Sequence, residues 1–136
     1  MLPAFDDYCV EIARLPDQFP AIGSSTLTIH TIGPFAAELT GQLTFPGGYV
    51  LSVWELLDLD SRTIHSYSYE LDRLGERVWW YDPTGHPDDP TLAISHPHHK
   101  HIHPDIRHHR VPAPELSFTK PNLPLLVRQV EQLLAS

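Results

Sequence analysis

Between residues 35 and 45 the chain alternates in polarity. Phe35, Ala37, Leu39, Leu43 and Phe45 interleave with Ala36, Glu38, Thr40, Gln42 and Thr44. A period of two marks a strand with one face on a core and the other toward water. Pro46-Gly47 follows, with proline setting φ and glycine free to take φ > 0, as a tight turn requires. Further strands are expected at 26–32, at 49–57, at 62–71 after Asp58–Ser61, and at 77–82 after Gly75. Short strands joined by tight turns predict a single antiparallel β-meander sheet of about five strands.

Helical patterns flank this region. At 6–15, Tyr8, Ile12 and Leu15 fall on one face, Asp6 or Asp7 can cap, and Pro16 and Pro20 end the helix. At 123–135, Leu126, Val127, Val130, Leu133 and Leu134 form one apolar stripe. Asn122 is its expected cap, and Pro124 suits the first turn. The class is therefore α+β, with one domain over 1–136. Residues 1–20 are N-terminal helix and loop, 26–82 the sheet, 83–120 a His/Pro-rich loop and 121–136 the C-terminal helix.

Composition narrows the function classes. The chain has 136 residues and one cysteine. Cys9 alone excludes a disulfide framework and a cysteine-based zinc site, and reads as an inert buried thiol. No apolar run approaches the ~20 residues that span a bilayer. The amino terminus turns acidic at once, so a cytoplasmic protein without a membrane partner is expected. A net charge of −8 argues against a general nucleic-acid coat. The segment 96–110 departs from that average, with Lys100, Arg107 and Arg110 against Asp105 alone.

That segment also holds seven of the ten histidines, five of them within His96–His103. Many of the 14 prolines fall in 83–124, and Pro97 and Pro104 exclude a regular helix among the histidines. In extended chain, His99, His101 and His103 share one side, and His98 and Lys100 the other. Three readings stay open. An H-x-H pair with a third ligand from His86, Asp105, His108, His109 or Glu55 can hold zinc, nickel or copper. Without any metal, two histidines can serve as acid and base on a phosphodiester while Lys100 steadies the developing charge. The third reading is a solvated polar loop that binds metal only opportunistically.

Residues upstream complete the candidate site. Glu55 shares a strand face with Tyr49, Leu51, Val53 and Leu57. It must be paired or in a cleft, unless a register shift takes it to solvent. Tyr67 or Tyr69 on the next strand can lie beside it. Trp79 and Trp80 are core anchors or stacking platforms for bases. Asp82 can nucleate a turn or orient a histidine from the loop. No Gly-rich phosphate loop, G-x-S-x-G or H-E-x-x-H is present.

The run Tyr81-Asp82, His86-Pro87 and His96-Pro97-His98-His99-Lys100-His101 resembles the TumE-like toxin family. Those are small prokaryotic proteins encoded beside a helix-turn-helix antitoxin. Trp54-Glu55-Leu56 and Tyr67-Ser68-Tyr69 fit its strand glutamate and Y-x-Y element. The resemblance covers roughly 49–103. Trp80 stands where the family pattern has arginine, and Pro83 where it has asparagine. The resemblance implies a toxin-like role, a cognate helix-turn-helix antitoxin as partner and RNA as a candidate target, with a homodimer left open. On this reading His98 and His101 act as acid and base, with Glu55 as a further catalytic group. Lys100 holds phosphate, and Tyr67, Tyr81, Asp82, His86 and His99 line the substrate side. No cofactor is required. The alternative is a non-catalytic metal-binding or partner-binding module in which His99, His101 and His103 hold zinc or nickel.

Overall fold

The alternating segments become paired strands because their apolar residues have one surface to cover. A computed structural model of the chain describes residues 1–86 and 88–136. Strands β3 (Ala36–Thr44), β4 (Tyr49–Asp58), β5 (Thr63–Arg73) and β6 (Glu76–Asp82) run antiparallel in chain order. Leu39, Leu43, Leu51, Tyr69, Leu71 and Tyr81 are fully buried on one face of this meander. Gly47, at φ +76°, makes the turn between β3 and β4.

The sheet is wider than the expected five strands. At one edge β3 pairs with both β1 (Ser24–Ser25) and β2 (Thr28–Ile32). Gly41 lies where the chain crosses between those two strands. At φ +140°, a Cβ there would sit 2.5 Å from the Thr26 carbonyl oxygen, so only glycine fits. At the other edge β7 (His99–His101) pairs with β6, and β8 (Arg110–Pro112) pairs with β7. Among the described residues the sheet therefore has eight antiparallel strands, and the segment 83–120 is not a structureless loop. A short 3-10 turn over Pro90–Ser95 packs beside β8.

Two flanking helical segments and the C-terminal helix cover one face. α1 (Phe5–Ala13) and the single turn α2 (Leu15–Gln18) bury Tyr8, Ile12 and Leu15. α3 (Leu123–Ala135) buries Leu123, Leu126, Val127 and Val130. Neither expected cap forms. Ala4 occupies the cap of α1, and no side chain bonds there. Asn122 does begin α3, but its side chain turns inward. Its amide donates to the Tyr69 hydroxyl and the Ser117 carbonyl, and its oxygen accepts from the Ser117 amide. A buried tyrosine hydroxyl and a loop claim it before the helix can. No helix among the described residues is long and apolar enough to cross a membrane.

Candidate functional site

β7 has three residues, and their alternation sets the geometry of everything around the histidines. Its register puts His99 opposite Asp82, Lys100 opposite Tyr81 and His101 opposite Trp80. Cross-strand partners share a face. Tyr81 points at α3, where its hydroxyl donates to Gln129 at 2.9 Å. Lys100 therefore lies on the helix-covered face, with Nζ 5.4 Å from the Trp79 ring and 5.3 Å from the Tyr81 ring. Burial lowers its pKa from the ordinary lysine value. His98, just ahead of the strand, turns to the same side. Its Nδ1 is 2.6 Å from the Tyr67 hydroxyl, and its ring packs against Phe118.

His99, His101 and Asp82 meet on the opposite face, all three buried. His99 Nε2 is 3.2 Å from one Asp82 carboxylate oxygen, and His101 Nε2 is 3.3 Å from the other. The two Nε2 atoms are 3.0 Å apart. The far nitrogens are held by backbone carbonyls, which can only accept. His99 Nδ1 lies 3.2 Å from the Pro97 oxygen. His101 Nδ1 lies 2.9 Å from the Ile106 oxygen and 3.1 Å from that of Arg107. Both Nδ1 atoms therefore carry hydrogen, which leaves both Nε2 lone pairs bare.

Two bare imidazole nitrogens and a carboxylate thus face one another within hydrogen-bond range. Three acceptors at that separation repel unless a cation lies among them. Burial holds both histidines below the ordinary value, with the Asp82 carboxylate pulling the other way. At neutral pH their contacts with Asp82 are therefore not ion pairs between full charges. The arrangement can therefore take either one shared proton or one metal ion. Asp82, His99 and His101 form the only three-residue cluster with metal-ligand geometry among the described residues. Imidazoles that donate Nδ1–H to carbonyls are what a metal's ligands ordinarily look like.

Other groups border the centre. Trp80 stacks on the His101 ring at 4.1 Å, and the His86 ring meets His99 edge-on at 4.7 Å. Arg110 is the cross-strand partner of His101 on its other side. Asp82 also accepts from the Thr84 amide at 2.9 Å, which fixes the carboxylate's orientation.

Several sequence expectations are redistributed. His98 and Lys100 lie on one face and His99 and His101 on the other, so His98 and His101 do not converge on a shared bond. His103 does not join His99 and His101. The strand ends at His101, and His103 turns away to place Nε2 2.8 Å from the Arg77 carbonyl. Asp105 and His108 pair with each other at 3.1 Å, and His109 places Nδ1 2.7 Å from the His103 carbonyl. Glu55 is fully buried on the helix face, where Tyr8 and Tyr69 donate to its two oxygens at 2.6 and 2.5 Å. No register shift carries it to solvent. Tyr67 stacks on Tyr69 on that same face. The third member of the histidine centre is Asp82. Arg110, not singled out in the sequence, enters only because β8 pairs with β7.

A family model described as toxin TumE matches residues 12–134, which takes in the whole sheet, both sides of the histidine centre and nearly all of α3. No curated protein and no solved structure matches the chain. A match over nine-tenths of the 136 residues leaves only the chain ends outside it. The chain belongs to the TumE toxin family, as the toxin component of a toxin–antitoxin pair with an antitoxin as its partner.

Proposed function

We propose that this toxin acts on RNA, cleaving its phosphodiester backbone at the Asp82–His99–His101 centre with a divalent transition metal held by those three residues. The observation that supports it is the convergence of two bare Nε2 atoms and one carboxylate at 3.0–3.3 Å. Two imidazoles and a carboxylate suit zinc, and imidazole also suits nickel. A metal there would supply Lewis-acid polarisation of a phosphoryl oxygen and a fourth position for water or substrate. Asp82 would fix both rings, and the carbonyls of Pro97, Ile106 and Arg107 would hold the tautomer.

A second reading has its own support. The 3.0 Å between the two Nε2 atoms is also a hydrogen-bond length once a single proton is shared. His99 and His101 would then be the acid–base pair, one taking a 2′-hydroxyl proton and the other protonating the leaving oxygen. In both readings His98, Lys100, Tyr67 and Glu55 pack the helix-covered face and stand outside the centre. The partner is proposed to be a helix-turn-helix antitoxin with a basic arm, matching the chain's charge of −8.

The test is RNA cleavage by untagged protein with and without EDTA, beside Asp82→Asn and His99→Ala/His101→Ala, with metal content and melting temperature measured on the same samples. Cleavage lost to EDTA, restored by zinc or nickel and absent in the variants carries the metal reading. Cleavage that survives EDTA but not the substitutions selects the metal-free pair. Metal-dependent melting without cleavage means a binding module that performs no turnover. Absence of both cleavage and any metal response refutes the proposal.

A further inference from the structure

We infer that Arg110 and the Trp80 indole N–H form an anion subsite beside the Asp82–His99–His101 centre, shaped for a phosphate of a nucleic-acid backbone. The inference rests on the proposed RNA-directed reading for its substrate, but its evidence is separate.

Two buried side-chain nitrogens lack any partner among the described residues, Trp80 Nε1 and Arg110 Nε. Both are donors. They sit on the strands either side of His101, whose register partners are Trp80 on β6 and Arg110 on β8. Buried donors without acceptors are rare in folded chains because each forfeits its water without a replacement. Two of them flanking one histidine of a candidate centre point to an absent acceptor rather than to chance.

The guanidinium has no other employment. Among the described residues Arg110 makes no side-chain hydrogen bond, ion pair or cation–π contact. Its charge reaches His86, His99, His101 and Asp89. Asp89 is half-buried, and it is committed to the amide and hydroxyl of Thr91 at 3.0 and 2.5 Å. Asp82 is committed to the two histidines and Thr84. A planar guanidinium offers five N–H donors in a fork that matches two oxygens of a phosphate. A metal ion at the neighbouring centre would add a second positive charge within the same pocket. An anion held by Arg110 would then be attracted by both charges. Lys100, the cation of the histidine motif, cannot serve because it lies across the sheet over Trp79 and Tyr81.

The test uses zinc-loaded full-length protein and two probes. The first is a fluorescent 2′-O-methyl oligoribonucleotide, read by anisotropy over a range of salt. The second is inorganic phosphate, read by its effect on melting temperature. Arg110→Met should weaken oligonucleotide binding by about tenfold or more. It should also reduce the slope of log K against log salt by about 0.7, the share of one phosphate contact on a single strand. Arg110→Lys should recover part of the affinity. Trp80→Phe, which keeps the ring on His101 and removes the N–H, should weaken binding severalfold. Zinc stabilisation should persist in all three variants.

Unchanged affinity and salt slope in Arg110→Met overturns the subsite. So does loss of zinc stabilisation in that variant, which would make Arg110 a structural support of the centre. If phosphate stabilises wild type but not Arg110→Met while neither protein binds the oligonucleotide, the subsite stands and the RNA reading falls. If wild type responds to neither probe, the subsite itself is refuted.

Discussion

Replacing Glu55 by alanine should cost stability on a scale the structure sets. Both carboxylate oxygens accept from buried tyrosine hydroxyls, Tyr8 on α1 and Tyr69 on β5. Asn122 donates in turn to Tyr69, so one carboxylate ties the approach to α3, the sheet and α1 together. Alanine leaves two hydroxyls without an acceptor in a dry site. Each orphaned group costs about 1–3 kcal/mol, so the loss is about 2–6 kcal/mol before any cavity is counted. A domain's whole stability is about 5–15 kcal/mol. A mid-range loss of about 4 kcal/mol lowers Tm by roughly 15 °C in a domain of this size. Glu55→Gln keeps the shape and one acceptor oxygen, so its loss should be smaller.

The pH dependence then separates the carboxylate from its neutral isostere. Burial is the largest influence on Glu55 and raises its pKa, against the lowering effect of the Tyr69 and Tyr8 hydroxyls. The native state thus keeps this proton at pH values where the unfolded chain has released it. The contribution is complete below the unfolded pKa and is lost as pH rises through the folded one. Wild type should hold its largest margin over Glu55→Gln at the acid end and lose it toward neutrality. Urea titrations at a series of pH values, read by tryptophan fluorescence, measure that margin. An alanine variant that melts with wild type, or a margin that widens as pH rises, refutes the reasoning.

Tyr67→Phe removes the hydroxyl 2.6 Å from His98 Nδ1 and should cost about 1 kcal/mol in the same titration. Zinc stabilisation should be untouched, since Tyr67 and His98 lie across the sheet from the metal-ligand cluster. Gly41→Ala should be worse than its single methyl suggests. It forces a Cβ at φ +140° to 2.5 Å from the Thr26 oxygen and should cost about 1–3 kcal/mol or more. Hydrogen exchange should show β1 and β2 losing protection in that variant while β5 and β6 keep theirs.

The sequence showed the middle of this fold well because long period-2 segments have few alternatives. The five strands expected from 26 to 82 all form, and the C-terminal helix runs over the residues its apolar stripe marks out. β7 and β8 were out of reach because three residues carry no measurable period and both lie among prolines. What makes them strands is the free edge of β6, a partner that local sequence does not reveal. The site divides the same way. The alternation of His98 and Lys100 against His99 and His101 could be read directly, and Asp82 was already a candidate for orienting a histidine. The grouping of His103 with His99 and His101 assumed that the strand continues past His101, where the chain instead turns. The pairing of His98 with His101 disregarded the alternation, which separates them. Arg110 was one basic residue among three until β8 placed it beside His101.

Asp82 and His99 are neighbours in the sheet although the chain between them runs through residues 83–98. That connection is a loop pinned at both ends by a ladder, and lengthening such a loop is cheap. Doubling it adds only about 0.6 kcal/mol of closure entropy. A single residue inserted within His99–His101 has a different result. It would turn one imidazole toward Tyr81 and the helices unless a β-bulge within these three residues absorbed it. Selection therefore has a wide tolerance for length on one side of Pro90 and almost none three residues into β7. Related chains should drift freely in the spacing between their aspartate and their H-x-H, while the spacing inside the H-x-H stays fixed.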